Sequence, residues 1–225
     1  MSPKGAISRR CRLCVEKAAL FYAPEPARLA YYWRCPSCGF IFLDPRFLPS
    51  RKAAVERYLL HDNTEESEGY VEYLQHFIET CIVPFAPVDR PVLDFGSGPH
   101  NPPVLTKLLA QRGYSCDCYD PLFAPTRAWR AKRYGCILLH EVAEHLPKPR
   151  HTFAQLPGLL DPGGILAIRT RFPPSESLDF GAWWYRMDST HIAFYPPEAV
   201  EKFLKRLGFR LTISRRPDLL VFTAS

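Results

Sequence analysis

The stretch Pro91-Val92-Leu93-Asp94-Phe95-Gly96-Ser97-Gly98-Pro99 does most to restrict what this chain can fold into. Its short apolar run reads as a strand buried on both faces, and such strands belong to parallel sheets covered by helices. Gly96 and Gly98 then turn the chain without side chains, and residues 104–112 read as a helix ended by Gly113. A strand, a Gly-x-Gly turn and a helix let backbone approach a ligand closely and aim a helix N-terminus at its negative part. Asp120 stands at the end of the next strand, 22 residues beyond Gly98, where a carboxylate suits the two hydroxyls of a ribose.

The surrounding pattern agrees. Residues 53–85 read as helical, with Val71, Leu74, Phe77 and Ile78 at helix spacing and Pro84 and Pro87 to stop them. Strands are expected at residues 114–119, 135–139, 165–170, 209–214 and 219–223, and helices at 153–160 and 197–207. Residues 161–164, Asp-Pro-Gly-Gly, read as a turn. Strands alternating with helices imply an α/β fold, a Rossmann-like doubly wound and mainly parallel sheet.

Ahead of this lies a different signal. Cys11, Cys14, Cys35 and Cys38 form two C-x-x-C pairs separated by twenty residues. Two tight turns that each present two thiolates fit a tetrahedral zinc site, and a module this small needs a staple. Gly39 permits the second turn, whereas Val15 occupies the matching place in the first. Residues 30–33 and 40–42 read as its strands. Residues 1–52 are therefore expected to be a zinc-ribbon module with its junction, and residues 53–225 the α/β domain. Cys81, Cys116, Cys118 and Cys136 fall in helix or strand patterns and read as packing residues.

Charge separates the two parts. Residues 1–52 hold ten Lys and Arg against three Asp and Glu, and the rest of the chain holds 19 against 20. A basic module can meet nucleic acid, a phosphorylated substrate or an acidic protein. Residues 1–10 lack the apolar core of a secretory signal, and no apolar run approaches the ~20 residues of a membrane span. Eight cysteines in that setting imply reduced thiols, metal binding and a cytoplasmic protein with no membrane partner.

Three further segments accompany the glycine loop. They are Leu139-His140-Glu141-Val142-Ala143-Glu144-His145-Leu146, Leu159-Leu160-Asp161-Pro162-Gly163-Gly164, and His191-Ile192-Ala193-Phe194-Tyr195 before a helix ended by Leu207-Gly208-Phe209. In this order they closely resemble the class I methyltransferases dependent on S-adenosylmethionine (SAM), from about Tyr58 to the C-terminus. The N-terminal part resembles zinc-ribbon methyltransferases of bacterial type. The resemblance implies that Asp94, Phe95, Gly96, Ser97 and Gly98 line the methionine part of SAM, that Asp120 and Pro121 hold the ribose, and that His140 and Glu141 sit beside the cofactor under Tyr70 and Tyr73. Two departures are visible. His100 stands where a third glycine is common, and only about fourteen residues separate Asp120 from the strand at residue 135, too few for the family's usual third strand and its adenine-contacting acid.

The acceptor side is less constrained. Glu141, Glu144 and His145 lie at i, i+3 and i+4 and share a face if their loop is helical. They resemble the Glu-x-x-Glu-His segment of ubiquinone-pathway O-methyltransferases, which implies a divalent cation near the acceptor or His145 as base; otherwise Glu144 and His145 cap and pack. Asp188 and His191, beside Trp183, Trp184 and Tyr185, mark a second candidate site, either an acceptor pocket or the core of a lid. Arg171 suits an anionic acceptor or a surface ion pair. The expected activity is SAM-dependent methyl transfer to oxygen or carbon of a small molecule. The alternatives are RNA or a translation protein engaged through the basic ribbon, and a non-catalytic binding module of the same fold.

Overall fold

A computed structural model describes residues 8–24, 30–61 and 63–225. Of the polar stretch read at residues 1–10, the first seven lie outside them.

The N-terminal module is built from β1 (Arg9–Arg10), β2 (Lys17–Tyr22), β3 (Tyr32–Arg34) and β4 (Ile41–Leu43), all antiparallel neighbours. Its two knuckles repeat one hydrogen-bond scheme. Val15 N–H donates to Cys11 O (3.1 Å) and Cys11 N–H to Glu16 O (2.7 Å), just as Gly39 N–H donates to Cys35 O (2.7 Å) and Cys35 N–H to Phe40 O (2.9 Å). Both turns need a left-handed residue. Gly39 takes φ +79°, and Val15 takes φ +64° although it is β-branched. Val15 is 47% exposed, so packing returns little for this strain.

Helix α1 (Arg51–Tyr58) starts at Ser50, whose Oγ accepts Ala53 N–H at 3.2 Å. Helix α2 (Glu68–Cys81) buries Leu74, Phe77, Ile78 and Cys81. The single helical region read at residues 53–85 is thus two helices, broken by turns between residues 59 and 67. Then follow β5 (Val92–Phe95), α3 (Val104–Ala110), β6 (Cys116–Tyr119), β7 (Tyr134–His140), α4 (Pro149–Gln155), β8 (Leu160–Arg169), α5 (Ser177–Ala182), β9 (Ala193–Phe194), α6 (Pro197–Lys205), β10 (Phe209–Arg215) and β11 (Leu219–Ala224). Residues 161–164 fall within the span of β8 but pair with no neighbour: the register passes from Tyr134–Leu160 to Cys136–Ile165 and Gly163 takes φ +73°, so the expected turn is a bulge inside the strand.

The main sheet has the order β10-β11-β8-β7-β5-β6. β6, β5, β7 and β8 run parallel, and β11 and β10 close the other edge antiparallel. The chain steps outward from β5 to β6 and then crosses back over β5 to β7, which makes the carboxyl end of β5 a switch point where ligands of such sheets bind. β6 is an edge strand: as the shortage of residues after Asp120 implies, no strand lies between β6 and β7 in sequence among the described residues, and the short span holds a single 3₁₀ turn, Ala128–Ala131.

The ribbon sheet does not end with the ribbon. β9 pairs antiparallel with β4, matching Ile41 with Phe194 and Phe42 with Ala193. Phe40, Phe42, Tyr32 and Trp33 lie in the same buried cluster as Tyr195, Phe194, Phe180 and Phe153. No helix of the described residues is long and apolar enough to cross a membrane.

The strain at Val15 gives a direct expectation. Val15→Gly raises stability by about 1 kcal/mol, the order of a left-handed penalty for a side-chain-bearing residue. Urea unfolding of the two proteins measures it, and a lower midpoint for the glycine variant contradicts the reading of the knuckle.

Candidate functional site

Four elements converge at the switch point. The loop after β5 turns at Gly96 (φ +92°) and Gly98 (φ +77°). A Cβ on Gly96 would stand 2.5 Å from Val142 Cγ2, so the close approach of two loops requires glycine. A Cβ on Gly98 would meet nothing within 4 Å, so that side of the loop faces open space. Gly96 and Ser97 N–H both donate to Tyr119 O, at 2.6 and 3.1 Å. Asp120 then locks the two loops together: Oδ2 accepts Gly98 N–H (3.2 Å), while Oδ1 accepts Leu122 N–H (2.7 Å) and Phe123 N–H (3.1 Å). Ser97 Oγ is buried without a hydrogen-bond partner. Asp94 is 3% exposed, and burial pushes its carboxyl up to about 8, with Cys118 and Asp120 adding to the shift. Pro121 lies in this loop and its carbonyl accepts from Arg51 at 3.3 Å.

At the end of β7 the backbone of Glu141 is left-handed (φ +53°), held by its N–H on Arg169 O at 2.9 Å. This turn aims the Glu141 carboxylate at α2, where Oε1 accepts Tyr73 Oη–H (2.8 Å), and at Tyr185, whose hydroxyl lies 2.9 Å from Oε2. The same hydroxyl lies 2.6 Å from Glu144 Oε1. Tyr185 has one proton for two carboxyls, so one of the acids must itself be protonated for both contacts to be hydrogen bonds. Burial, then mutual repulsion, pushes Glu141 up to about 8, and burial pushes Glu144 up as well. His140 packs edge-on to Phe77 (4.8 Å) and Tyr73 (5.2 Å), and burial, then Arg169, drives it down to about 3. Tyr70 lies on the same face of the site: burial, then Asp94 and Glu141, raise its hydroxyl.

The segment after Glu141 forms only a 3₁₀ turn, Ala143–His145, and Glu141 faces Tyr73 rather than His145. The ligand atoms within 4.8 Å of one another belong to Glu144, His145 and His191, with His191 in the place expected for Glu141. Each imidazole places Nδ1 on a backbone carbonyl, His145 on Thr190 O (2.9 Å) and His191 on Tyr185 O (2.6 Å). A carbonyl only accepts, so each ring carries its proton on Nδ1 and leaves the Nε2 lone pair free. Burial lowers His145 to about 4 and, with the neighbouring His145, lowers His191 to about 3, so both rings are neutral at pH 7. Glu144 is fully buried, and its Oε2 has no hydrogen-bond partner.

Asp188 is an anchor. It accepts from Thr190 N–H (2.9 Å) and Oγ1–H (2.6 Å) and pairs with Arg57 (2.8 Å) and His61 (3.6 Å), tying α1 to the segment before His191. Trp183 packs on Phe180 and Phe194, whereas Trp184 is 65% exposed under the Arg171 guanidinium, 5.5 Å from its ring. Arg169 has no place in the sequence reading. Its guanidinium lies 3.4 Å from the Tyr73 ring centroid and pairs with Asp218, orienting the tyrosine that holds Glu141. One arginine closing an apolar strand was the available signal.

At the far end of the ribbon the four sulfurs of Cys11, Cys14, Cys35 and Cys38 lie within 4.8 Å of one another, with Cys11–Cys38 at 3.7 Å and Cys14–Cys35 at 3.4 Å. Tetrahedral Zn–S bonds of about 2.3 Å place sulfurs about 3.8 Å apart, so the cluster fits that ion. Cys11 Sγ also accepts the N–H of Leu13 and of Cys14, both at 3.4 Å, as a thiolate would.

Fold and site together define a SAM-dependent methyltransferase of class I. The chain belongs to the family described as methyltransferase domain, whose model matches residues 67–213. Among solved structures it is similar to magnesium protoporphyrin IX methyltransferase of Synechocystis PCC 6803 with bound S-adenosylhomocysteine (SAH): TM-score 0.52, 16% identity, 78% of this chain and 95% of that one. It is also similar to the 1,6-didemethyltoxoflavin-N1-methyltransferase of Burkholderia thailandensis: TM-score 0.49, 14% identity, 90% of this chain and 98% of that one. No sequence among the curated proteins matches it.

Asp94 supplies a pH signature. Its folded-state pKa near 8 lies above its ordinary 3.8, so the stabilisation it allows is complete below about pH 4 and is lost as pH rises through 8. Asp94→Asn removes that loss. Urea midpoints at pH 5 and pH 8 should show the variant gaining on the parent as pH rises, and a pH-independent difference contradicts the assignment.

Proposed function

We propose that this chain transfers the methyl group of SAM to a small-molecule acceptor, with cofactor and acceptor bound on opposite sides of Glu141. The observation that carries the cofactor half is the cradle at the carboxyl end of β5. Gly98 opens it to space, Ser97 Oγ lies in it unpartnered, and Asp94 and Asp120 line it. Bound SAM would supply an electrophilic methyl on a sulfonium. Asp94, Phe95, Gly96, Ser97 and Gly98 would hold its methionine part, Asp120 and Pro121 its ribose, and Tyr70, His140 and Glu141 would flank it. The protein's task is then to align donor and acceptor and to exclude water.

Glu144, His145 and His191 form the acceptor half of this reading. Two neutral imidazoles with free Nε2 lone pairs and one buried carboxyl are a donor set that suits a divalent cation, which would orient an acceptor oxygen. Without a cation, the His145 lone pair would instead take the acceptor's proton where one must leave. Burial of the trio favours a small molecule over a polymer chain. Cys11, Cys14, Cys35 and Cys38 would hold a structural zinc.

Calorimetric titration with SAH tests the cofactor half without knowledge of the acceptor. The parent chain is expected to bind, and Asp120→Ala to bind about 10–100-fold more weakly, the scale of a lost charge-assisted contact. Equal affinity in the two proteins removes Asp120 from the site. No binding to either favours a non-catalytic module.

A further inference from the structure

The cysteine cluster and the Glu144–His145–His191 trio are joined by a short run of backbone hydrogen bonds. Cys35 N–H closes its knuckle on Phe40 O (2.9 Å), and Phe40 leads directly into β4. Leu43 N–H at the end of β4 donates to Ile192 O (3.0 Å), and Ile192 N–H donates to Glu144 O (2.9 Å). Ile192 follows His191, so the backbone next to one residue of the trio is clamped between the edge of the ribbon and the backbone of another. Side chains repeat the link. The Phe40 ring packs 4.9 Å from that of Tyr195, and Tyr195 Oη–H donates to Ala143 O (2.8 Å), the residue before Glu144. Arg12 donates to Pro147 O, Arg150 to Leu13 O (3.4 Å), and Lys202 to Ser37 O (2.9 Å). The cofactor half has no such tie: among the described residues, no hydrogen bond connects residues 8–44 with residues 92–124.

We propose that the cysteine module is the positioning device of the acceptor half: with metal bound it holds Glu144, His145 and His191 together, and without metal the trio comes apart while the cofactor cradle stays formed. The inference rests on the assignments of zinc to the cysteines and of the acceptor to the trio. Its physical basis is that strands of two, three and six residues and two tight turns cannot hold their shape without a staple, and that structural zinc contributes folding energy directly to such modules. When the knuckles open, β4 loses its register, the Ile192 carbonyl loses its Leu43 N–H donor, and His191 is released from Glu144. The halves meet at Tyr185, whose hydroxyl contacts both Glu141 and Glu144, whereas the cradle at the ends of β5 and β6 has no hydrogen bond to the ribbon among the described residues and keeps its shape. Loss of zinc would leave a protein that still binds SAM and no longer seats its acceptor.

The test uses the full chain, labelled with ¹⁵N-histidine, as isolated with zinc, after removal of zinc by a chelator under reducing conditions, and after zinc is returned. SAH affinity is read by calorimetry, and the ring Nδ1–H signals of His145 and His191 by NMR. On metal removal we expect SAH affinity to change by no more than about twofold. The two ring signals should vanish, and both should return with zinc. Ring signals that persist in the metal-free chain overturn the inference, as does loss of SAH binding in step with them, or a purified chain that holds no zinc. A zinc-loaded chain that fails to bind SAH overturns the cofactor reading itself.

Discussion

The centre of the candidate site hangs on the carboxyl ends of β5, β7 and β8, three adjacent parallel strands buried almost throughout, and Asp120 after β6, Tyr70 and Tyr73 on α2, and Tyr185 and His191 before β9 gather around it. Parallel pairing leaves no choice about where these ends lie: all three loops emerge on one edge of the sheet. Asp94 and the glycine loop come from the first, His140 to His145 from the second, and Arg169 and the strand-end segment from the third. Val142 packs into the space that Gly96 leaves, so the first two loops fit against each other only because one lacks a side chain.

Desolvation then shapes the chemistry. The same burial that raises Asp94, Glu141 and Glu144 lowers His140, His145 and His191, so it disfavours charge on the acids and the imidazoles alike. A charge in such a neighbourhood is costly unless a partner of opposite charge stands beside it. Tyr73 and Tyr185 moderate the cost through their hydrogen bonds to the carboxyls. The segment from Trp183 to His191 serves both as aromatic packing and as the source of one member of the trio, and Asp188 anchors it to α1 through Arg57.

Local patterns made much of this legible in the sequence. The apolar run at β5, the turn at Gly96 and Gly98, the acid at the end of β6 and the two C-x-x-C pairs are each short-range signals, and each lies where its spacing placed it. The missing third strand was visible as a shortage of residues after Asp120. What the sequence did not disclose is set by contacts far apart in the chain. Glu141 meets Tyr73, 68 residues away, and Tyr185, 44 residues away. No helical spacing could foresee that a left-handed backbone turns Glu141 from His145 and leaves its place to His191. β9 is two residues long and carries no periodic signature, yet it joins the ribbon sheet to the α/β part. The turn expected at residues 161–164 sits inside β8 as a bulge, because β7 pairs on either side of it, Tyr134 with Leu160 and Cys136 with Ile165.

The central claim is methyl transfer from SAM to a small molecule. Its most direct measurement is the transfer of labelled methyl from SAM into a cell extract, separated afterwards into RNA, protein and small-molecule fractions. The account predicts label in the small-molecule fraction that depends on the added protein. Label confined to RNA or protein would contradict it and make the basic ribbon a device for reaching a macromolecule.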